Sequence, residues 1–201
     1  MRFVTIILAA VVAGTAPGMA YDAASQAVIE RFKPGKLVLS ADLAILMLSA
    51  ERWCYEQQGT DCGWSDIYLS ADETGVSYEL TNAWNDSVVI SMVDRAAFRD
   101  ERYLCELGLD WVPSLRAFSS ADGTTIEGRD LAALRDEIAP LVEADQSANC
   151  FDYIYRGHDA DTQTVTLLQR QYVDGTHAED MDAMVTLHFA PGTARSLGWY
   201  W

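Results

Sequence analysis

Apolar positions change their period several times along this chain, and each change marks a predicted element. Residues 1–20 carry Arg2, run apolar from Phe3 to Ala13, break at Gly14, Pro17 and Gly18, and end on the small residue Ala20. A charge, an apolar run and a small-residue site in that order read as a cleavable secretory signal, cut before Tyr21. The run is far short of the ~20 residues that span a bilayer. Residues 22–33 then place Val28, Ile29 and Phe32 on one helical stripe behind Asp22, and Pro34-Gly35 stops them. Ser40 opens a second, longer helix predicted to reach about Glu56, with Leu43, Leu46, Met47, Ala50 and Trp53 on one face.

Alternation replaces the helical period after Cys62. Ile67–Ala71, Val76–Ala83 and Ser87–Val93 alternate or run β-branched, with turn residues at 72–75 and 84–86, which predicts an antiparallel meander. Residues 94–111 fit helix and strand equally. A short hairpin follows around Asp122-Gly123, then a helix from about Arg129 with Leu131, Leu134, Ile138 and Leu141 on one face, which Pro140 should kink or end. The remainder reads as strand: Phe151–Arg156, Thr164–Val173, Ala183–Phe189 and Ser196–Trp201. The expected fold class is α+β, antiparallel meanders with helices packed on one face.

The order helix, cysteine, strands occurs twice. At an offset of 88, Asp42-Leu43-Ala44 falls on Asp130-Leu131-Ala132, and Cys62 falls on Cys150. Two similar helix-plus-sheet units, 21–120 and 121–201, would follow from a duplication; shared helix and hairpin physics would give the same pattern in one compact domain.

The C-terminal Leu197-Gly-Trp-Tyr-Trp201 resembles the aromatic-ended last strand of outer-membrane barrels. The resemblance covers five residues. Three helices, four cysteines and too few long strands weigh against a barrel.

Composition narrows the function. The chain has 201 residues and a net charge of −16, and its only lysines are Lys33 and Lys36. No run of basic residues exists to neutralise phosphates, which excludes nucleic-acid binding through a basic patch. Four cysteines in an exported chain read as two disulfides. The polar segment between Cys54 and Cys62 can fold back as a loop, which favours Cys54–Cys62 with Cys105–Cys150. The signal and the arginine-rich, lysine-poor usage place the protein in the periplasm or outside the cell, and no membrane span should remain after processing.

Candidate chemistry is sparse. His158 lies with Asp159 and Asp161, and His177 with Glu179, Asp180 and Asp182, in loops at opposite ends of Thr164–Val173. Ten residues at ~3.3 Å each keep them roughly 30 Å apart, so they cannot form one metal site. His188 should face away from Val185, Leu187 and Phe189. No nucleophile elbow, phosphate loop or zinc-helix motif occurs, and no metal or cofactor is implied. The six tryptophans could line a sugar or peptide groove, or fill the core. Acids are densest at Asp174, Glu179, Asp180 and Asp182, a candidate binding loop for a basic protein or a small ligand. The expected function is an exported, periplasmic, non-catalytic binding or interaction protein. The alternative is a periplasmic hydrolase whose carboxylates and histidine come from distant segments.

Overall fold

The computed structural model describes residues 21–108, 111–144 and 148–201; the secretory signal read at 1–20 lies outside the described residues. Helix α1 (Ala23–Ile29) starts where Asp22 Oδ1 accepts from the backbone N–H of Ala24 and Ser25, at 2.9 and 3.1 Å. Strand β1 (Leu37–Val38) leads into α2 (Ser40–Ser49), which ends well before Glu56. Arg52–Tyr55 is strand β2. Trp53 satisfies the apolar stripe of a helix and the alternation of a strand alike, so periodicity could not separate the two there.

Strands β3 (Asp61–Cys62), β4 (Trp64–Ala71), β5 (Gly75–Asn85), β6 (Val88–Arg99) and β7 (Tyr103–Glu106) follow, so residues 94–99 and 103–106 of the ambiguous 94–111 region are strand, and 109–110 lie outside the described residues. The hairpin β8 (Arg116–Ser119) and β9 (Thr125–Ile126) precedes helix α3 (Gly128–Ala144), which contains Pro140 inside it. The chain continues through β10 (Asn149–Asp159), β11 (Thr164–Val173), β12 (Thr176–His177), β13 (Ala183–His188), helix α4 (Pro191–Ser196) and β14 (Gly198–Trp199).

Eight of these strands close on themselves. The order β10-β11-β13-β2-β4-β5-β6-β7 returns to β10 with every neighbour antiparallel, a β-barrel with β1, β8, β9 and β12 as extra strands. The α+β expectation of helices packed on one face of open sheets is therefore corrected, and with it the argument against a barrel. Alternation along a strand is the same whether the covered side faces a helix or a barrel interior. What distinguishes them is pairing between distant segments. Leu187 pairs with Trp53 across β13 and β2, and Cys150 pairs with Cys105 across β10 and β7. Strands from both sides of residue 120 thus build one barrel. The segments matched at offset 88 also sit differently: α2 packs on the barrel core and α3 on a flare, while Cys62 lies in β3 and Cys150 in a barrel stave.

One end of the barrel is closed. Leu43, Leu46 and Met47 of α2, with Val28 and Ile29 of α1, join inward-facing Trp53, Val165 and Leu187 in one core, so both helices cap that end. The other end flares. There β6 leaves β7 and pairs through Val88–Ser91 with β8, and α3 lays Leu131, Leu134 and Ile138 on the flare against Ile90, Met92 and Leu115. Leu141, expected on that face, is exposed, and Val142 packs in its place. The C-terminal aromatics are not a barrel stave. Gly198–Trp199 pairs in parallel with β3 outside the barrel, where Trp199 Nε1 donates to Ser65 Oγ at 3.0 Å.

Both disulfides read from the sequence form, Cys54–Cys62 and Cys105–Cys150. They fit an oxidising, extracytoplasmic setting. Among the described residues no helix is long and apolar enough to cross a membrane.

The second disulfide staples the seam where the short β7 completes the barrel. Beside it, fully buried Asp152 accepts from Arg102 Nε and from Arg170 Nε and Nη2, each at 2.7 Å, while Arg102 stacks on Tyr103 and Tyr172. Two guanidinium groups thus pair with one buried carboxylate and tie β10 to β11 and to the turn before β7.

Candidate functional site

At the flared end the barrel interior is not filled. A cavity of about 320 Å³ opens between β4, β5, β7, β10 and β11, on the strand positions that alternate inward. Its walls are aromatic: Trp64 and Tyr68 from β4, Tyr78 from β5, Phe151 and Tyr153 from β10. Set among them are Asp66, Asn82, Glu106, Asn149, Gln169 and Gln171. Among these described lining residues there is no Lys, Arg or His.

Asp66 lies deepest of the charged groups. Its position in β4, between Trp64 and Tyr68 on the inward face, holds it only 5% exposed. Its Oδ1 is buried without a hydrogen-bond partner. Burial, then the nearby carboxylates of Glu106 and Asp94, push its acid up to about 7; the Tyr55 hydroxyl beside it pulls the other way without closing a hydrogen bond of normal geometry. Burial drives Tyr55, Tyr68 and Tyr78 above their ordinary range, so these phenols stay protonated and neutral.

The amides around the mouth are ordered by one another. Gln171 Nε2 donates to Asn149 Oδ1 at 3.2 Å, and Asn149 Nδ2 donates to Glu106 Oε2 at 3.0 Å. Gln169 Nε2 donates to Tyr153 Oη at 2.9 Å, and Asn82 Nδ2 to the Ala83 carbonyl at 3.2 Å. Each amide spends an N–H within the wall. Asn82 Oδ1, like Asp66 Oδ1, is a buried acceptor with no donor. Orphaned acceptors in a concave aromatic site call for a donor-rich occupant.

Two larger hollows lie outside the barrel. One, of about 550 Å³, runs between α2 and the β4–β5 turn past Leu39, Ile45 and Leu48, and holds none of the unpartnered polar atoms. The other, of about 500 Å³, lies under the C-terminal strap beside Arg52. Arg52 has orphaned donors, but Glu79 answers its charge and Trp199 stacks on it with 5.1 Å between guanidinium and ring. Asp66 has no such answer.

The acidic loop read from the sequence stands on the rim of the open end, because β11 runs to Val173, which pairs with cavity-lining Asn149. Its four acids do not act alike. Asp174 Oδ1 accepts from Ala148 N, while Asp182 Oδ1 accepts from Gln171 N and lies 2.9 Å from His177 Nε2. Glu179 and Asp180 are exposed. The histidines stay apart. His158 pairs with Val165 and His177 with Tyr172, at opposite ends of β11, and His188 sits on the outer face with Nε2 2.9 Å from Gln57 Oε1. None reaches the cavity. Of the tryptophans, Trp64 lines the cavity, Trp53 fills the core, Trp84 and Trp111 pack with α3, Trp199 packs in the strap, and Trp201 is exposed.

Sequence reasoning missed Asp66. Acids are common in this chain and densest at 174–182, so a single acid within a strand does not stand out by composition. The available signal was Trp64-Ser-Asp66-Ile-Tyr68, a charge alternating in phase with two large aromatics, which puts it on the face a sheet buries. No family model matches the chain, and comparison with curated proteins and with solved structures found no match to either.

Proposed function

We propose that this protein is an exported, periplasmic, non-catalytic binding protein that holds a small molecule in the open end of its barrel. The observation carrying this reading is Asp66 Oδ1, a buried acceptor without a partner in the wall of an aromatic cavity of about 320 Å³. An eight-stranded barrel has room for side chains or for one small ligand, and here the closed end takes the first and the flared end the second. A buried polar group left unpaired costs ~1–3 kcal/mol, which a ligand that satisfies it recovers.

Thermal shift and tryptophan fluorescence against small cations, neutrals and anions test it. At least one class should raise the melting temperature and perturb Trp64 emission, and Asn82→Trp, which blocks the mouth, should abolish both responses. If no class acts, or the Asn82→Trp protein responds like the parent, the lumen is not a binding site.

Asp66 supports a second reading, a hydrolase. A carboxyl group that keeps its proton near neutrality beside the Glu106 carboxylate is an arrangement of general acid and general base. No histidine would take part. Turnover of a bound compound, lost in Asp66→Asn with binding retained, would favour this reading over simple carriage.

A further inference from the structure

Resting on that reading of the lumen, we propose that its ligand is a small organic ammonium whose head seats against Asp66, and that seating it releases one proton from Asp66 to solvent. The body of the ligand lies against the rings of Trp64, Tyr68, Tyr78 and Tyr153.

Charge makes the first argument. Asp66 and Glu106 line the cavity, Asp94 lies close enough to act on Asp66, and no lining residue among those described is basic. An anion entering would find no cation among the described lining residues and would lie near the Glu106 carboxylate. Hydrogen bonding makes the second: of the orphaned lining atoms among the described residues, Asn82 Oδ1 is an acceptor, and Asp66 Oδ1 is one whenever its carboxyl is ionised. Asn82, Asn149, Gln169 and Gln171 meanwhile each commit an N–H to the wall. An ammonium brings three donors and no acceptor. The rings make the third, because the negative faces of tyrosine and tryptophan attract a desolvated cation. A neutral hydroxyl compound would use the acceptors but gain little from the carboxylates.

The proton balance follows from the groups around Asp66. Facing it are Tyr55 from β2, Tyr68 from its own strand, Tyr78 from β5, Asp94 from β6, Glu106 from β7 and Tyr153 from β10; β11 presents only Gln169 and Gln171. None of these described groups is a cation, so below about pH 7 the empty site favours the neutral acid. A neutral carboxylic acid and an ammonium become a carboxylate–ammonium pair and one free proton, with no bond to the ligand made or broken. Tyr55, whose hydroxyl is buried beside Asp66 without a partner, then has a carboxylate to donate to. Acidification reverses the step and expels the cation.

Three probes with one body and different heads separate the possibilities: 2-phenylethylamine, 2-phenylethanol and phenylacetate. Calorimetry on the full protein at pH 8.0, 6.5 and 5.5, each in two buffers of different ionisation enthalpy, reads affinity and proton release together. The amine should bind best at pH 8.0, weaken roughly thirtyfold by pH 5.5 as Asp66 is protonated, and release close to one proton at pH 5.5. Asp66→Asn should remove both the pH dependence and the proton release, and should bring the amine down to the affinity of the alcohol. Phenylacetate should bind least. Equal binding of amine and alcohol, both abolished by Asn82→Trp, would overturn the ammonium assignment and leave the lumen reading standing. Preference for phenylacetate, or amine binding indifferent to pH and to Asp66→Asn, would also overturn it. Failure of all three probes at millimolar concentration would overturn both.

Discussion

Taking the Asp66 carboxyl out of water raises the energy of its ionised form more than that of its neutral form, and among the described residues no cation lining the cavity offsets the difference. Its acid stands near 7 in the folded chain against 3.8 for the free side chain. Between those values the native protein holds a proton that the unfolded chain has released, so stability falls as pH rises through that window and levels off above it. At one pKa unit per ~1.4 kcal/mol the full penalty is about 4 kcal/mol. Asp66→Asn keeps the shape and removes the titration. The variant should match the parent near pH 4 and exceed its stability at pH 8 by a few kcal/mol at most. Urea denaturation at the two pH values checks this; a variant less stable than the parent at pH 8 would mean the carboxylate is held by donors that suit it. That a binding site should carry such a penalty is ordinary, since groups arranged for a ligand are unsatisfied without one. The residue itself was legible only in part. Alternation marks Trp64, Asp66 and Tyr68 as one face, but only barrel closure turns that face into a cavity wall.

Elements were read best where local pattern decides them. The three-strand meander β4–β6, strand β11 over Thr164–Val173, and both cysteine pairs followed from turn residues, alternation and loop length. The second helix was overrun because Trp53 fits two periods, and β7 was ambiguous because four residues carry no period at all. That short strand matters most for closure. It meets β10 through two residue pairs, Cys105 with Cys150 and Leu104 with Phe151, reinforced by the disulfide and by the Asp152 ion pairs. The Cys105–Cys150 link spans 45 residues and Cys54–Cys62 spans 8. In the chain-entropy model they contribute about 4 and about 2.5 kcal/mol. Cys105→Ser should therefore lower the denaturation midpoint more than Cys54→Ser, and it should also loosen the β6–β7–β10 seam. Melts under non-exchanging conditions, with hydrogen exchange at β7, decide it. Equal losses, with β7 still protected, would show that the Asp152 ion pairs and the backbone ladder hold the seam unaided.

At the scale of the whole molecule, the closing contacts join residues more than a hundred positions apart in β2–β13, and no local period encodes such a pairing. Charge, by contrast, was plain from composition, and the fold gives part of it a place. The acidic loop between β12 and β13 stands on the cavity rim, so the field of a chain with net charge −16 is concentrated by Glu179 and Asp180 near the entrance. Fields of this kind speed the approach of opposite charge and are screened within about 8 Å at physiological salt. Asp182 is unsuited to a test, because it holds Gln171 N and His177 and its loss would undo the loop. Changing Glu179→Gln and Asp180→Asn together should slow 2-phenylethylamine association by roughly two- to threefold at low salt and scarcely alter dissociation. At physiological salt the two proteins should converge. Stopped-flow fluorescence of Trp64 across a salt series reads both rates. The same comparison distinguishes steering from a direct rim contact, which would change dissociation and persist in salt. An association rate that ignores both salt and the double change would leave the acidity as a means of keeping the protein soluble.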